Sequence, residues 1–525
     1  MNKLLEISLG IVTSVGGFLE VGSLTTAAQA GAAFGFRLVW AIVLGTICII
    51  FLVEMAGRFA AVSRHTISDA IRERFGFNFF LWPLIATLFV NFLVLAAEIG
   101  GAAIALEFAT GIGFQWWALP VALVAWLLLW KGTFGFIEKG VSTLGLVTLC
   151  FVVAAVMLRP DWKAVAAGAV PSLPGHDTAR YWFIAVSILG ASISPYLFLF
   201  YSSGAVEDKW DKSYLGANRA IAGLGMSFGG TIALGVLIVA ALVLAPRGIA
   251  DVDDYHQLPL LLIPVFGFWG FVLFCASLGI ACLGAALEIG LQQAYLVAQG
   301  FGWNWGEDLK PRDNAGFASL HARAADERHP DRLRPRSAEA HRLFDGAHRR
   351  EPAADRRAVP VPDERRALRE GASQRHDRQR RGAVRDRAWL RARDRDDPAR
   401  DPRRLTMELV RDILDKQVVD RHETKMGKVD GIVAELRGGA PPRIAFIEIG
   451  SVALARRLGP RLGRLVSRLS ARLGGEAHRD PCRIDWHRVR DIGVDIGLDL
   501  DVHDTTVFDW QDWLRDHVVG RIPGA

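Results

Sequence analysis

The sequence predicts an all-α polytopic membrane domain followed by a small strand-rich domain. Two observations support this fold class. Apolar runs of about 20 residues, the length that spans a hydrocarbon core, recur before residue 310. After that point charged residues dominate and no run is long enough to cross a bilayer. The net charge of +6 therefore averages two unlike parts of the chain and says little about partners.

We predict about eight membrane segments. They lie near residues 8–33, 36–56, 78–107, 115–130, 138–157, 180–203, 216–245 and 260–300. Lysine and arginine collect in the loops after the second, fourth and sixth segments, as in Arg58, Lys131 and Lys209. Short loops rich in these residues stay in the cytoplasm. We therefore expect a multi-pass protein of the plasma membrane whose N-terminus and C-terminal domain are cytoplasmic.

The first predicted segment contains a carboxylate, Glu20, beside Gly22 and Ser23. An ionisable residue inside a bilayer is costly and is usually kept for function. A broken helix is tolerated there when its free backbone groups line a cavity or bind an ion. In the alternative interpretation Glu20 lies near a helix end or pairs with a buried cation. The hydroxyls of Thr25 and Thr26 are expected only to satisfy the backbone near the break.

The sixth predicted segment carries a second break, because Pro195 stands inside an apolar run. Proline removes one backbone hydrogen bond and clashes with the preceding turn. The Ala191 carbonyl and the Ser194 hydroxyl are then free for other partners. Breaks at corresponding positions of two five-helix halves predict an inverted-repeat transporter fold with a site near the bilayer midplane.

Several motifs resemble the natural-resistance-associated macrophage protein (NRAMP) family of divalent-metal transporters over roughly residues 8–300. They are "AAFGFRLVW", "AEIGGAAIAL", "GFIEKGVSTLGLVTLCF" and "RPDW". Counted back from the first of these, the family's Asp-Pro-Gly-Asn motif falls on Glu20, Val21, Gly22 and Ser23. The family's sixth-helix Ala-x-x-Met-Pro-His falls on Ala191, Ser194, Pro195 and Tyr196. The family's third-helix acid is kept as Glu98.

The departures from the family pattern indicate a divergent branch. The motif aspartate becomes Glu20 and its asparagine becomes Ser23, while the metal-binding methionine becomes Ser194 and the histidine becomes Tyr196. An acid three residues before Glu98 is replaced by Leu95.

The resemblance implies a divalent cation as substrate, bound by Glu20, Ser23, Ser194 and the Ala191 carbonyl. Such a sulfur-free set of ligands favours Mg²⁺ or Mn²⁺ over softer metals. Glu98 is the expected proton-relay or gating acid. Loss of the family's acid at Leu95 and of its histidine at Tyr196 predicts weak or absent proton coupling.

Residues 306–405 form an arginine-rich stretch without lysine between Lys310 and Lys416. Arginine, alanine, aspartate and proline together resemble GC-rich DNA translated in the wrong frame, which is our preferred interpretation. In that case the last helices of the family fold are absent from this chain, which is truncated. The alternative is a real disordered linker. Natural basic tails usually mix lysine with arginine, so we do not predict a nucleic-acid partner.

The last segment, residues 406–525, is predicted to be a compact domain. "KMGKVDGIVAELR" and "PRIAFIEIG" show β-branched alternation broken by glycine and proline. "ALARRLGPRLGRLVSRLSARLG" has a helical period with a basic face. "DKQVVDRHETKMGKVDGIV" and "IDWHRVRDIGVDI" resemble the PRC-barrel, a small β-barrel adaptor. The transmembrane domain is accordingly assigned to residues 1–305.

No other feature of the sequence indicates an enzyme or a cofactor. No glycine-rich phosphate loop follows a strand, and no nucleophile lies near a base. The five scattered cysteines are interpreted as buried thiols. Glu288 and Gln292 share a helix face, where a helix–helix hydrogen bond is favoured over a polar lining role. Two alternatives stay open: a membrane-anchored PRC-barrel binding module without transport, and a transporter of an organic substrate. The oligomeric state is not predicted.

Overall fold

The computed structural model describes residues 20–131, 145–174, 176–252, 255–306, 315–323 and 408–522. Five helical stretches in this part are long and apolar enough to cross a membrane: Val21–Ser63, Phe77–Thr110, Thr178–Glu207, Lys212–Arg247 and Phe268–Phe301. Shorter apolar helices cover Phe114–Trp130, Leu146–Met157 and Tyr255–Phe266. Each of the eight predicted segments is therefore mostly helical over its described residues.

The α-helices of this region follow the chain closely, with short 3₁₀ turns between several of them. They are α1 (Val21–Phe34), α2 (Val39–Ser63), α3 (Ile67–Phe75), α4 (Phe77–Thr110), α5 (Phe114–Lys131), α6 (Cys150–Met157), α7 (Trp162–Gly168), α8 (Thr178–Ser192), α9 (Pro195–Glu207), α10 (Leu215–Ala220), α11 (Met226–Val243), α12 (Ile263–Phe266), α13 (Phe268–Phe301) and α14 (Ala315–Arg323). A π-helical turn, Ile221–Gly225, joins α10 to α11.

The long helices pack in two groups. In the first, α1 and α2 lie against α8, α9 and α11. In the second, α4 packs along α13 and against α5. The short helix α3 connects the two groups, because it follows α2 and precedes α4 directly in the chain.

The predicted break in the sixth segment is confirmed. Helix α8 ends at Ser192 and α9 begins at Pro195, so two residues interrupt the helix. Pro195 occupies the first turn of α9, where its missing N–H costs nothing. The first break falls at the edge of the described chain. Glu20 is the extended residue that precedes α1, and residues 1–19 lie outside the described residues.

The C-terminal region is rich in strands, as predicted. After α15 (Leu409–Asp412) its elements are β1 (Gln417–Val419), β2 (Lys425–Lys428), β3 (Gly431–Arg437), β4 (Ala440–Ile449), α16 (Ser451–Leu458), α17 (Pro460–Gly474), β5 (Cys482–Asp485), β6 (Val489–Ile492), β7 (Ile496–Leu498) and α18 (Asp509–His517). One sheet has the order β2-β1-β7-β6 and the other β3-β4-β5. Neighbouring strands are antiparallel except β1 and β7, which are parallel.

Both sheets contribute to one apolar core. Val418 and Ile496 from the first sheet meet Ile447 and Ile484 from the second. The two sheets thus pack around a shared core, and the domain boundary at residue 406 stays a prediction. The assignment to a PRC-barrel stays a prediction.

Helix α14 lies inside residues 306–405, for which both the frameshift and the linker interpretation predict no packed core. Ala315 and Ala318 are buried with Leu514 of α18 and Trp130 of α5. The expectation is therefore wrong for these residues, because alanine and phenylalanine give the start of "AGFASL" an apolar side. Most of the arginine-rich stretch, residues 306–405, lies outside the described residues, so its two interpretations stay predictions.

A buried ionic interface joins the C-terminal domain to α3. Arg72 is fully buried and pairs with Asp415, at 3.1 Å, and with Asp430, and it also donates to the Gly300 carbonyl at the end of α13. Arg457 contacts both oxygens of Asp415 at 2.9 Å. A buried arginine needs such partners, because an unpaired charge is costly in a medium of low dielectric constant.

A second buried ion pair lies one helical turn away on α3. The Lys428 Nζ atom is 2.7 Å from Asp69 Oδ1. Burial would raise the pKa of Asp69, but the charges of Lys428 and Lys425 outweigh it and hold that pKa at about 2, below the ordinary 3.8. The ionised carboxylate is thus stabilised in the folded chain.

We expect a double-mutant cycle on Asp69→Asn and Lys428→Met to give a coupling free energy of about 2 kcal/mol. Because the pKa of Asp69 is lowered on folding, the stabilisation is complete above its ordinary pKa of 3.8 and is lost as the pH falls toward 2. The coupling should therefore be the same at about pH 8 and about pH 5. The measurement is the free energy of unfolding in detergent.

The exposed pair Arg456 and Asp480 serves as a control, with a coupling free energy below about 1 kcal/mol. If the coupling between Asp69 and Lys428 halves at the lower pH, the assignment of this ion pair is contradicted.

Candidate metal-binding site

The site begins at the first turn of α1. Glu20 has an extended backbone, and its carbonyl accepts the first helical hydrogen bond from the Leu24 N–H, at 3.1 Å. The Glu20 side chain is only 5% exposed. A carboxylate at a helix N-terminus benefits from the positive end of the helix dipole. Glu20 is thus a buried acid set on the edge of a helix.

The Glu20 carboxylate reaches the break between α8 and α9. The Ser194 hydroxyl donates to Glu20 Oε1 and the Tyr196 hydroxyl donates to Oε2, both at 3.2 Å. The Ser194 Oγ atom is also 3.2 Å from the Ala191 carbonyl oxygen. Residues at the interruption between α8 and α9 therefore supply the polar partners of Glu20, the acid that precedes α1.

Glu98 approaches the same turn from α4. Its side chain is fully buried, and its Oε1 atom accepts a hydrogen bond from the Val21 N–H at 3.0 Å. The first N–H groups of a helix have no partner within the helix, so Glu98 caps α1 from a neighbouring helix. The Cys282 thiol of α13 also lies beside the Glu98 carboxylate.

Three of the predicted ligands come together in this arrangement, namely Glu20, Ser194 and the Ala191 carbonyl. Ser23 is buried in the first turn of α1, and Glu98 joins the cluster through Val21. The interpretation of Thr25 and Thr26 holds: their hydroxyls donate back to the Val21 and Gly22 carbonyls, at 2.8 and 2.7 Å.

The chemistry of this cluster is dominated by oxygen. Within the described ranges, no group of three or more His, Cys, Asp or Glu side chains is placed to hold a metal ion. Any ion bound here must draw on hydroxyl and carbonyl oxygens as well as on carboxylates. Hydroxyl, carbonyl and carboxylate oxygens are the ligands preferred by hard divalent cations.

Comparison with known proteins identifies the family. The family described as natural resistance-associated macrophage protein-like (Nramp) matches residues 10–320. The chain belongs to this family. The match covers the membrane helices, both predicted breaks and the beginning of α14.

Similar Nramp proteins include two divalent metal cation transporters named MntH. That of Deinococcus radiodurans is 27% identical over 295 residues, covering 54% of this chain and 66% of the relative. That of Listeria welshimeri serovar 6b is 30% identical over 257 residues, covering 46% of this chain and 57% of the relative. The chain thus spans less than two thirds of the length of either. A manganese transporter of Eremococcus coleocola, known from a crystal structure, is 21% identical and has a TM-score of 0.48, with 61% of this chain and 69% of that chain covered.

Two residues near Glu20 and Glu98 were not predicted as part of the site. Tyr196 was noted only as a replacement for the family's histidine, yet its hydroxyl donates to Glu20. Cys282 of α13 was interpreted as an inert buried thiol, yet it lies beside Gly101, Val21 and Glu98. A tyrosine directly after a helix-breaking proline was a usable signal for the first. Nothing in the sequence around Cys282 indicated that α13 faces Glu98.

Buried amides extend the polar interior along α4 and α13. The side-chain nitrogen and oxygen of Asn91 and of Gln292 have no hydrogen-bond partner among the described residues. The helix–helix hydrogen bond favoured for Gln292 is therefore not observed within the part that the structure describes.

Adjacent glycines on α4 offer a matched test of the packing around Glu98. A Cβ atom at Gly101 would lie 2.6 Å from Cys282 Sγ and 3.2 Å from Val21, whereas one at Gly100 would meet nothing within 4 Å. We expect Gly101→Ala to destabilise the chain by about 1–3 kcal/mol, because a well-packed interior cannot absorb a methyl group. Gly100→Ala should be neutral or slightly stabilising, since alanine favours helix over glycine. Thermal unfolding of the two variants compares them directly, and equal midpoints would contradict the close contact.

Proposed function

We propose that this chain transports a divalent metal cation, which binds where α1 begins and where α8 gives way to α9. The observation that carries the proposal is the buried Glu20 carboxylate, whose two oxygens meet the hydroxyls of Ser194 and Tyr196. A buried acid at a helix N-terminus beside the interruption of another helix is typical of ion sites in membrane transporters with inverted repeats. The names of the MntH relatives support the same class of substrate.

Each ligand has a distinct role in this proposal. Glu20 supplies negative charge, and Ser23, Ser194 and the Ala191 carbonyl supply neutral oxygens. The Ser194 and Tyr196 hydroxyls donate to Glu20. When a cation binds, these hydroxyl groups would rotate so that an oxygen lone pair faces the ion. Such a set of ligands lacks sulfur and leaves room for retained water. We rank Mg²⁺ and Mn²⁺ above Fe²⁺, and all three above Cd²⁺.

Proton coupling is proposed to be weak or absent. Glu98 is the acid available for a proton relay or for gating, because it is fully buried and caps the first turn of α1, directly after Glu20. Leu95, one turn earlier on α4, cannot carry a proton, and Tyr196 donates to Glu20 in place of the family's histidine.

The orientation that we propose places the C-terminal domain in the cytoplasm. Arginine-rich loops mark the cytoplasmic side, and α3 lies in such a loop between α2 and α4. The C-terminal domain contacts α3 through Arg72 and Asp69. The domain therefore shares the side of the membrane assigned to this loop.

Uptake into proteoliposomes tests both transport and ion preference. We expect the full chain to take up Mn²⁺, with excess Mg²⁺ inhibiting strongly and Cd²⁺ weakly. Ser194→Met places a thioether at the break and should increase inhibition by Cd²⁺ about tenfold, because soft metals prefer sulfur. Protein-free vesicles provide the background rate.

Two further readouts separate the parts of this proposal. Strong block of the native chain by Cd²⁺ and none by Mg²⁺ contradicts the oxygen site; if Cys282→Ser then removes the block, the thiol on α13 is its source. A pH dye inside the same vesicles reports proton movement. Acidification that accompanies uptake and disappears in Glu98→Gln contradicts weak coupling while leaving metal transport intact.

A further inference from the structure

Helix α17 presents arginine and leucine side chains on one continuous exposed surface. The arginines recur at intervals of three or four residues, and the leucines follow the same spacing one position later. They are Arg461, Arg464, Arg468 and Arg472, with Leu462, Leu465 and Leu469. All seven are exposed, and Leu465 and Leu469 are 63% and 53% exposed. With 100° between successive residues, the basic stripe and the apolar stripe lie side by side. We call this surface the Arg–Leu face.

The Arg–Leu face does not hold α17 in its own domain. The opposite side of the helix does so: Gly463 lies against Arg456 of α16, and the Ser467 hydroxyl donates to the Arg479 carbonyl at 2.6 Å. Across the ranges that the structure covers, none of the four arginines of the face has a carboxylate within 4 Å. Exposed leucines beside arginines that have no carboxylate partner in the described part of the chain form an apolar and basic surface, and such surfaces mark interaction sites.

The position of α17 identifies the nearest candidate partner. Only Gly459 separates α17 from α16, whose Leu454 is buried against Phe77 and Phe80 in the first turn of α4. Helix α4 is one of the five long apolar helices, and it begins at Phe77. Phe79 and Trp82, on its opening turns, are exposed, as expected of side chains that face lipid. The α16–α17 hairpin is therefore attached where a membrane helix enters the bilayer.

We propose that α17 lies in the plane of the membrane surface and binds anionic phospholipid headgroups through its Arg–Leu face. The leucines enter the boundary between headgroups and acyl chains, as in other interfacial helices. Each guanidinium group can bind a phosphate with two hydrogen bonds. Basic residues beside a membrane are attracted to an anionic leaflet, so the four arginines add electrostatic attraction to the apolar contact of the leucines.

Two other partners fit the face less well. A nucleic acid would use the arginines but leave the leucines in water, since the phosphate backbone offers them no apolar surface. An acidic peptide could cover both stripes, but among the described residues no carboxylate lies within 4 Å of the four arginines. The lipid surface is already adjacent to α4. Its phosphate groups can bind the arginine stripe, and its hydrocarbon layer can accept the leucine stripe.

The test uses the full chain in lipid nanodiscs of phosphatidylcholine, with and without phosphatidylglycerol. An environment-sensitive fluorophore is attached at Leu465→Cys after the partly exposed Cys48, Cys275 and Cys482 are replaced by serine. We expect a blue-shifted emission that brominated lipids quench, with stronger quenching when phosphatidylglycerol is present. The matched control is Leu436→Cys on β3, an exposed leucine of the same domain, which should show neither effect.

A charge variant distinguishes lipid binding from general burial. Arg464→Ser together with Arg468→Ser should reduce the quenching at position 465 by at least half and remove its dependence on phosphatidylglycerol. Emission that is already blue-shifted in detergent and insensitive to brominated lipid would mean that protein covers the face, and it would overturn the proposal. Equal quenching at positions 465 and 436, or quenching independent of lipid charge, would also overturn it.

Discussion

Glu20→Ala is expected to reduce divalent cation uptake by at least about 100-fold. Removal of a group that only orients a metal ligand already costs about 10–100-fold, and Glu20 supplies the negative charge of the proposed site itself. Glu20→Gln should be nearly as inactive, because an amide keeps the length and the hydrogen bonds to Ser194 and Tyr196 but not the charge. Initial rates of Mn²⁺ uptake into proteoliposomes provide the measurement.

The control for this prediction is a carboxylate outside the site. Glu54 lies on α2, where it pairs with Arg58 at 3.2 Å, and Glu54→Gln should retain most of the uptake. Both Glu20 variants should remain folded, because removing a buried carboxylate relieves the cost of its desolvation. Native uptake by folded Glu20→Ala would exclude the proposed site, whereas no uptake by the native chain would favour a chain that anchors its C-terminal domain without transport.

Arg72→Met is expected to destabilise the chain by about 3–5 kcal/mol, the usual cost of breaking a buried ion pair on one side. The change leaves the Asp430 carboxylate buried without its arginine and leaves Asp415 with Arg457 alone. Arg72→Lys should recover little, because one ammonium cannot replace a fork that reaches two carboxylates and the Gly300 carbonyl. The midpoint of thermal unfolding in detergent measures the effect.

An exposed arginine on the same helix is the matched control. Arg74 lies two residues away on α3 and is exposed, so Arg74→Met should change stability by less than about 0.5 kcal/mol. Adding Asp430→Asn to Arg72→Met should restore part of the loss, since it removes the unpaired charge. If Arg72→Met and Arg74→Met behave alike, Arg72 does not carry the contact between the domain and α3.

The local elements were largely predictable because their causes are local. A run of apolar residues long enough to cross a bilayer must form a helix, since no other open structure satisfies its backbone there. Pro195 interrupts the sixth segment at the predicted place for an equally local reason. The resemblance to the family then indicated which residues of the two breaks would meet, and Glu20 and Ser194 do so at 3.2 Å.

The contacts that escaped prediction join residues far apart in the chain. Tyr196 reaches Glu20 across 176 positions, and Arg72 reaches Asp430 across 358 positions. A lone arginine in a basic loop is an ordinary marker of the cytoplasmic side, so its burial could not be inferred from its neighbours. The apolar side of α14 was concealed in the same way, because its partners Trp130 and Leu514 come from distant helices.

The sequence alone determined where the membrane helices lie, where the sixth segment breaks, and which acid and hydroxyls are available at the breaks. Hydrophobic length and the missing N–H of proline act over a few residues, so a single chain reveals them. Only the tertiary structure decided that Glu98 caps α1, that Cys282 lies beside it, and that Arg72 is buried under the C-terminal domain. Those outcomes depend on which helices pack together, and the free energy of packing belongs to pairs of surfaces that no local pattern specifies.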